Sequence, residues 1–186
     1  MTHASTHTST HAVHDAALSG ADHQQGHAQS GLTLVEYGDY ECPTCIRAEP
    51  AVRRLVDSLG RQLRFVFRHY PLMAVHPHAE LAAEAAEAAA AQGQFWAMHR
   101  LLFTQAHGLA LPALNGYAQA IGLDMLRFRA DMADHLYTQR VQEHHHAGER
   151  SGLRTVPAFF LNDQLVDVSS GMAQLEAAVR AALAGA

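Results

Sequence analysis

The sequence predicts a single α/β domain in which a βαβ unit and a closing ββα unit are separated by a helical insertion. Two short apolar runs flank an amphipathic segment early in the chain, and strand-like residues return only near its end. Between them, residues 75–152 carry helical periodicity, which leaves residues 31–74 and 153–186 as the strand-bearing parts. A chain of 186 residues that is 48% hydrophobic is long enough to bury one apolar core.

The first strand-bearing part has the pattern of a βαβ unit. Leu32–Tyr37 is a short run of β-branched and apolar residues, which is typical of a buried strand. The segment that ends at Gly60 has apolar residues near helical spacing, and Leu63–Tyr70 then alternates as a second strand does. Because a strand, a helix and a strand of this length form a right-handed crossover, we expect the two strands to be parallel.

The insertion reads as a series of helices separated by glycines. Its first segment is an alanine-rich run, and four shorter apolar-periodic segments follow it. Glycine is unfavourable inside helices, so we expect the breaks to fall at these residues. The predicted break points are Gly93, Gly108, Gly116, Gly122 and Gly148.

The last part of the chain predicts a β-hairpin followed by a helix. Ala158–Leu161 and Leu165–Val168 have strand-like composition and flank Asn162 and Asp163, a residue pair that favours hairpin turns. Met172–Leu183 is amphipathic, so this helix should cover one face of the sheet.

The first 30 residues differ in composition from the rest of the chain. They are rich in Thr, Ser, Ala, Gln and His and contain almost no large apolar side chains. Such a segment buries too little apolar surface to offset the entropy of ordering, so we predict a disordered His-rich tail over residues 1–30. His14 and Asp15 interrupt its apolar residues, so it does not resemble a signal peptide, and we expect a cytoplasmic protein.

Charge and hydropathy exclude two further classes of protein. The formal net charge of -5 argues against a general nucleic-acid binder. No apolar run approaches the roughly 20 residues that a membrane-spanning helix needs. We therefore expect neither a nucleic-acid partner nor a membrane span.

The two cysteines of the chain, Cys42 and Cys45, are separated by two residues. A disulfide across this spacer would close almost no loop in the unfolded chain, so a structural role is disfavoured. A zinc site would need further ligands, but there is no second CxxC, and His76 and His78 do not have a compact zinc-ligand spacing. A CxxC within a βαβ pattern favours redox chemistry. The alternative is a metal-binding or metal-delivery module that uses the cysteine pair and the His-rich tail.

The predicted position of the pair makes its two thiols unequal. Cys42 falls at the start of a helix, where free backbone N–H groups and the helix dipole stabilise a thiolate. Pro43 suits the first helical position, because its missing N–H costs nothing there. Cys45 lies about one turn further on and should be deeper. We therefore predict that Cys42 is the exposed nucleophile and that Cys45 is the resolving thiol.

Four motifs in order give the chain a family resemblance. They are CPTC (42–45), FRHYPL (67–72), HPHAELAAEAAEAAAAQGQFWAMHRLLF (76–103) and RTVPAFFLN (154–162). Together they resemble the DsbA-like branch of the thioredoxin superfamily, over about Leu32 to Leu183. The resemblance implies a thioredoxin fold with a helical insertion between the βαβ and ββα halves, so that 31–186 is a DsbA-like thioredoxin domain. It also implies a thiol-disulfide oxidoreductase.

The resemblance assigns roles to residues outside the CxxC pair. Pro157 matches a proline that is cis in the family and lies beside the cysteines, and the backbone of Val156 would dock an extended substrate. With Pro43 and Thr44, these are the candidate substrate-binding residues. Glu36 matches a glutamate that lies under the active site and assists proton transfer. A trans Pro157 and a solvated Glu36 at a strand end are the alternatives that the residues alone leave open.

The resemblance also implies the partners and leaves the direction of the reaction open. The expected partners are protein or small-molecule thiols and disulfides together with an unidentified redox partner, and neither an organic cofactor nor a metal site is implied. Strongly oxidising relatives have histidine where this chain has Thr44, so Cys42 should be less acidic and its disulfide less oxidising. Many relatives work in the periplasm, which is the alternative to the cytoplasmic location.

Overall fold

The computed structural model describes residues 17–104 and 107–185, which form a five-stranded sheet with helices packed around it. The strand order is β1-β3-β2-β4-β5. The strands are β1 (His23–Gly26), β2 (Thr33–Gly38), β3 (Arg64–His69), β4 (Ala158–Leu161) and β5 (Gln164–Val166). The helices are α1 (Pro43–Leu59), α2 (Ala79–Ala90), α3 (Phe95–Thr104), α4 (Leu111–Ala120), α5 (Met125–Ala133), α6 (Thr138–Arg150) and α7 (Ala173–Ala184).

The βαβ unit has the predicted topology. β2 and β3 are parallel, with Val35 opposite Val66, and α1 forms the crossover between them. Only the first residue of each strand is half-buried and the rest are buried, as expected for central strands with both faces covered.

The predicted hairpin is also present. β4 pairs with β2 and β5, antiparallel in both cases. Asn162 and Asp163 have φ angles of 45° and 67°, the positive values that a two-residue type I′ turn requires. The Asn162 Oδ1 accepts a hydrogen bond of 2.8 Å from the backbone N–H of Thr33, which fixes the hairpin to the start of β2.

The insertion consists of α2 to α6, between β3 and β4, as the sequence predicts. Two of the predicted break points are wrong, because Gly116 lies inside α4 and Gly148 inside α6. At Gly148 the reason is a close approach. A Cβ added there would lie 2.6 Å from Cδ2 of Tyr70 and 3.2 Å from Cδ1 of Tyr37, so glycine lets α6 pack directly against two tyrosine rings.

The prediction of a disordered tail over residues 1–30 is wrong for residues 17–30. β1 pairs with β3 in antiparallel register, with Gln25 opposite Phe65. The sequence HQQG lacks apolar residues, but an edge strand is held largely by backbone hydrogen bonds, which any side chain allows. Residues 1–16, with the tail histidines, lie outside the described residues. None of the described helices has the length and apolar character needed to cross a membrane.

Beside β1, a buried ion pair ties the N-terminal segment to the sheet. The Arg68 Nε donates to Oδ1 of Asp22 at 2.9 Å, and its Nη2 donates to Oδ2 at 3.0 Å. Both side chains are at most 5% exposed. Bidentate pairing of this kind fixes the position of both groups, so β1 is anchored by side chains as well as by its backbone.

Candidate active site

Cys42 occupies the predicted position at the start of a helix. It is the N-cap residue of α1, which begins at Pro43. The Cys42 N–H donates to the carbonyl of Asp39 at 3.2 Å, and the Cys42 carbonyl accepts from Ile46 at 3.0 Å. The free backbone N–H groups of the first turn therefore lie on the cysteine side of the helix.

The sulfur of Cys42 is covered by a hydroxyl and a carbonyl. The Cys42 Sγ lies 2.8 Å from Oγ1 of Thr44 and 3.7 Å from the carbonyl oxygen of Val156. The Thr44 hydroxyl in turn donates to the same carbonyl at 3.0 Å. Cys42 is only 6% exposed, so the prediction of an exposed thiol is wrong. A substrate has to approach past Thr44 and Val156.

The two thiols are strongly unequal in acidity. The pKa of Cys42 is lowered to about 5, and the largest cause is the hydrogen bond that the Cys45 thiol donates to its sulfur. Burial acts in the opposite direction and raises the pKa. Hydrogen bonds from the Thr44 hydroxyl and from backbone N–H groups lower it further. Cys45 is fully buried, and burial together with the neighbouring Cys42 sulfur raises its pKa far above the ordinary value. At neutral pH the reduced pair is therefore a thiolate at Cys42 and a thiol at Cys45.

The peptide bond between Val156 and Pro157 is cis, which confirms the expectation from the resemblance. These two residues and Thr44 lie along a groove of about 930 Å³ beside the start of α1. The groove is lined by apolar side chains of the hairpin and the start of α7, with Arg47 and Arg154 among its charged residues. Such a surface can hold an extended chain next to Cys42.

Glu36 is buried in β2 and is not a solvated strand-end carboxylate. Its exposure is 3%, and burial, with a smaller contribution from the charge of Glu49, raises its pKa to about 8. A cavity of about 260 Å³ adjoins both carboxyl groups. The charge of Glu36 contributes to the raised pKa of Cys45, so the two groups are electrostatically coupled.

Asp39, which the sequence did not single out, forms part of the site and contacts His76. The carboxylate of Asp39 accepts hydrogen bonds from the backbone N–H of Glu41 at 2.7 Å and of Leu72 at 2.9 Å, and its Oδ2 lies 2.7 Å from Nδ1 of His76. Burial opposes a charge on His76, but Asp39 and the Cys42 thiolate raise its pKa. The signal available was an acidic residue in the turn directly before the CxxC pair.

The Thr44 hydroxyl supplies the first testable prediction. Thr44→Val removes one hydrogen bond to the thiolate, and such a bond to a charged group contributes about 1.5–3 kcal/mol, so the pKa of Cys42 should rise by about one to two units. Thr44→Ser keeps the hydroxyl and is the matched control. The ultraviolet absorbance of the thiolate, followed against pH, measures both variants. An unchanged pKa in Thr44→Val would contradict the contact.

The described residues do not support a metal site at the cysteine pair. Neither Cys42 nor Cys45 belongs to a group of three possible metal ligands within residues 17–104 and 107–185. The tail histidines of the alternative hypothesis, His3, His7 and His11 among them, lie outside those ranges.

Curated relatives match most of this chain but only part of their own length. The chain is 44% identical over 164 residues to the Na(+)/H(+) antiporter NhaA 1 of Salinispora arenicola, a match that covers 88% of this chain and 25% of the relative. The Na(+)/H(+) antiporter NhaA of Herminiimonas arsenicoxydans is 39% identical, with 86% and 26% covered. The chain thus spans about a quarter of the length of these relatives.

Solved structures have the same fold. A thioredoxin-like oxidoreductase from Silicibacter pomeroyi has a TM-score of 0.76 and 30% identity, with 89% of this chain and 94% of that chain covered. BdbD from Bacillus subtilis has a TM-score of 0.74 at 18% identity, with 84% and 90% covered. The catalytic domain of ScsC from Proteus mirabilis has a TM-score of 0.73 at 20% identity, with 89% and 91% covered.

The family assignment follows from the extent of these matches. A family model described as Thioredoxin matches residues 18–181, which includes β1 and every later strand and reaches into α7. The fold has the predicted arrangement, with the helical insertion between β3 and β4. On this evidence the chain belongs to the thioredoxin family.

Proposed function

We propose that this chain is a thiol-disulfide oxidoreductase that exchanges disulfides with protein thiols through Cys42 and Cys45. The observation that carries the proposal is the asymmetry of the pair: Cys42 has a pKa of about 5 at a helix start, and Cys45 is a fully buried thiol. The acidic sulfur is suited to be attacked and to leave, and the buried sulfur is suited to resolve an intermediate.

In the oxidising direction the reaction has two exchanges. A substrate thiolate attacks Cys42 Sγ in the Cys42–Cys45 disulfide, a mixed disulfide forms, and Cys45 leaves as a thiolate that takes up a proton. A second substrate thiolate then attacks the substrate sulfur of the mixed disulfide, and Cys42 leaves as a thiolate. The substrate loses two electrons and becomes a disulfide, and the pair gains them. Reduction of a substrate follows the same steps in reverse.

Three further residues support these steps in the proposal. Glu36, with a pKa of about 8, can hold or release a proton near neutral pH, so it is the proposed relay for Cys45. The backbone of Val156 and the ring of Pro157 line the groove together with Thr44, and an extended substrate segment would be held there next to Cys42. Pro43 at the first helical position keeps α1 directly behind the reacting sulfur.

The proposal does not extend to the transport activity in the names of the curated relatives. The match covers only 25% of the Salinispora arenicola protein, so sodium–proton exchange stays a property of that longer protein. The reduction potential of the Cys42–Cys45 couple decides between oxidation and reduction, when it is compared with the redox poise of the compartment. We propose the cytoplasm as that compartment, with the periplasm as the alternative.

The test is a comparison of two single-cysteine variants. Cys45→Ser should accumulate mixed disulfides between Cys42 and substrate proteins, because the thiol that would displace the substrate is gone. Cys42→Ser should accumulate almost none, since Cys45 is fully buried and its pKa is raised. Each variant is exposed to cell lysate, quenched with acid and run on non-reducing gels. Equal trapping by both variants, or none by either, would contradict the assigned roles.

A further inference from the structure

Two buried side chains and one partly buried side chain, from three different elements, converge in a cluster that includes neither cysteine. His23 on β1 and His69 on β3 each place Nε2 2.8 Å from the same oxygen, Oε1 of Glu87 on α2. The three ligand atoms lie within 4.8 Å of one another. Among the described residues, this is the one group of three His, Cys, Asp or Glu side chains whose possible ligand atoms lie this close together.

The donor set is that of a transition-metal site. Two imidazole nitrogens and one carboxylate oxygen are ligands that zinc accepts at about 2.0–2.2 Å, with a further position left for water. In a tetrahedral site neighbouring donor atoms are a little over 3 Å apart, so the two 2.8 Å contacts between a histidine nitrogen and the carboxylate oxygen need to open only slightly. Hard cations such as calcium prefer sites made of oxygen alone.

The surroundings favour a bound cation at this position. The side chains of His69 and Glu87 are 1% and 7% exposed, so the carboxylate is far from bulk water, while His23 is 13% exposed and offers a path of entry. The ring of His23 is stacked on Phe95 at a centroid distance of 3.6 Å, which fixes its direction.

We propose that His23, His69 and Glu87 bind a divalent transition-metal ion of the zinc class. Because the ligands come from β1, β3 and α2, the ion joins the N-terminal edge strand and the first insertion helix to the centre of the sheet. The site is structural and is separate from the Cys42–Cys45 pair, so it does not depend on the proposed redox function.

The chain contains a matched control for this site. Glu84 lies on α2 three residues before Glu87, is equally buried at 3% exposure, and contacts a histidine, His135, through Nδ1 at 3.1 Å. Glu84 contacts one histidine where Glu87 contacts two, and among residues 17–104 and 107–185 it belongs to no group of three possible ligands. Glu84→Gln and Glu87→Gln therefore make the same chemical change on the same helix.

The experiment measures zinc binding to the full chain. The protein is purified metal-free in the disulfide form, which removes both cysteines as ligands, with His3, His7, His11 and His14 replaced by Gln. Zn²⁺ is titrated in competition with a chromophoric chelator, and Co²⁺ is used as a visible-absorbing probe of the same site. The variants are Glu87→Gln, Glu84→Gln and His23→Gln, each checked for folding by circular dichroism.

We expect one equivalent of Zn²⁺ per chain in the parent protein and in Glu84→Gln, with a higher melting temperature when the ion is bound. Loss of a residue that only orients a ligand weakens metal binding by about 10–100-fold, so loss of a ligand in Glu87→Gln or His23→Gln should weaken it by at least that much. His23→Gln, on an edge strand, decides the question if Glu87→Gln does not fold. Less than one equivalent in the parent, or equal affinity in Glu84→Gln and His23→Gln, would overturn the proposal.

Discussion

Asp22→Ala should lower the free energy of unfolding by about 3 kcal/mol, because it removes the carboxylate of a buried ion pair. Removal of one partner from such a pair typically costs about 3–5 kcal/mol. We expect the lower end of this range, since Arg68 also donates to the hydroxyl of Tyr37 and to the carbonyl of Ala17. Urea unfolding of the reduced protein, with circular dichroism as the signal, measures the change.

The ion pair between Asp22 and Arg68 also leads to predictions for deletion of the N-terminal segment and for replacement of both charged residues. Deletion of residues 1–30 removes Asp22 and β1 and should cost at least as much as Asp22→Ala. Adding Arg68→Met to Asp22→Ala should restore part of the loss, because it removes the buried guanidinium that would otherwise lack this carboxylate. The control is Asp57→Ala on the exposed side of α1. A loss no larger than that of the control would show that the pair does not anchor the segment.

Glu36→Gln should stabilise the reduced protein, and the gain should grow with pH. The folded-state pKa of Glu36 is about 8, above its ordinary value of 4.5, so the folded protein keeps this group protonated while the unfolded chain ionises. The wild type therefore loses stability as the pH rises from about 4.5 to 8. With about 1.4 kcal/mol per pKa unit, the variant should gain up to about 3 kcal/mol at pH 7 and almost nothing at pH 4.

Denaturant unfolding at several pH values tests this dependence. Glu143→Gln on the exposed side of α6 is the control and should show no such trend. A Glu36→Gln variant that is equally affected at pH 4 and pH 8 would mean that Glu36 ionises normally in the folded protein. If Glu36 is also the relay for Cys45, the same variant should release substrate thiols more slowly, which stopped-flow measurements can follow.

The central strands of the sheet were predictable because their apolar residues form short continuous or alternating runs in the sequence. Val35 and Val66 lie in runs whose composition indicated buried strands, and they are paired neighbours in the parallel sheet. Asn162 and Asp163 indicated the hairpin because few residues tolerate two positive φ angles in a row. The cysteines, Pro157 and Glu36 were found by motif, and their burial and contacts could come only from the structure.

The features that sequence reasoning missed depend on contacts between distant segments. β1 has no apolar pattern, and its order depends on β3 and on the pairing of Asp22 with Arg68, 46 residues away. Asp39 and His76 are 37 residues apart, and no local pattern links them. Glycine usually marks a helix break, which is why the sequence predicts one at Gly148, but here the missing side chain makes room for two tyrosine rings.

The shared hydroxyl of Thr44 links ionisation of the nucleophile to the availability of a docking group. One hydroxyl has one proton, which it can give either to the Val156 carbonyl at 3.0 Å or to the Cys42 sulfur at 2.8 Å. While Cys42 is a thiol, its S–H can donate a hydrogen bond to Oγ1 of Thr44, and the Thr44 hydroxyl can donate to the Val156 carbonyl. Once Cys42 is a thiolate, the hydroxyl is drawn to the sulfur, and the Val156 carbonyl becomes free to accept an N–H from an incoming peptide. A single proton thus determines both the charge on the sulfur and the acceptor offered to the substrate backbone.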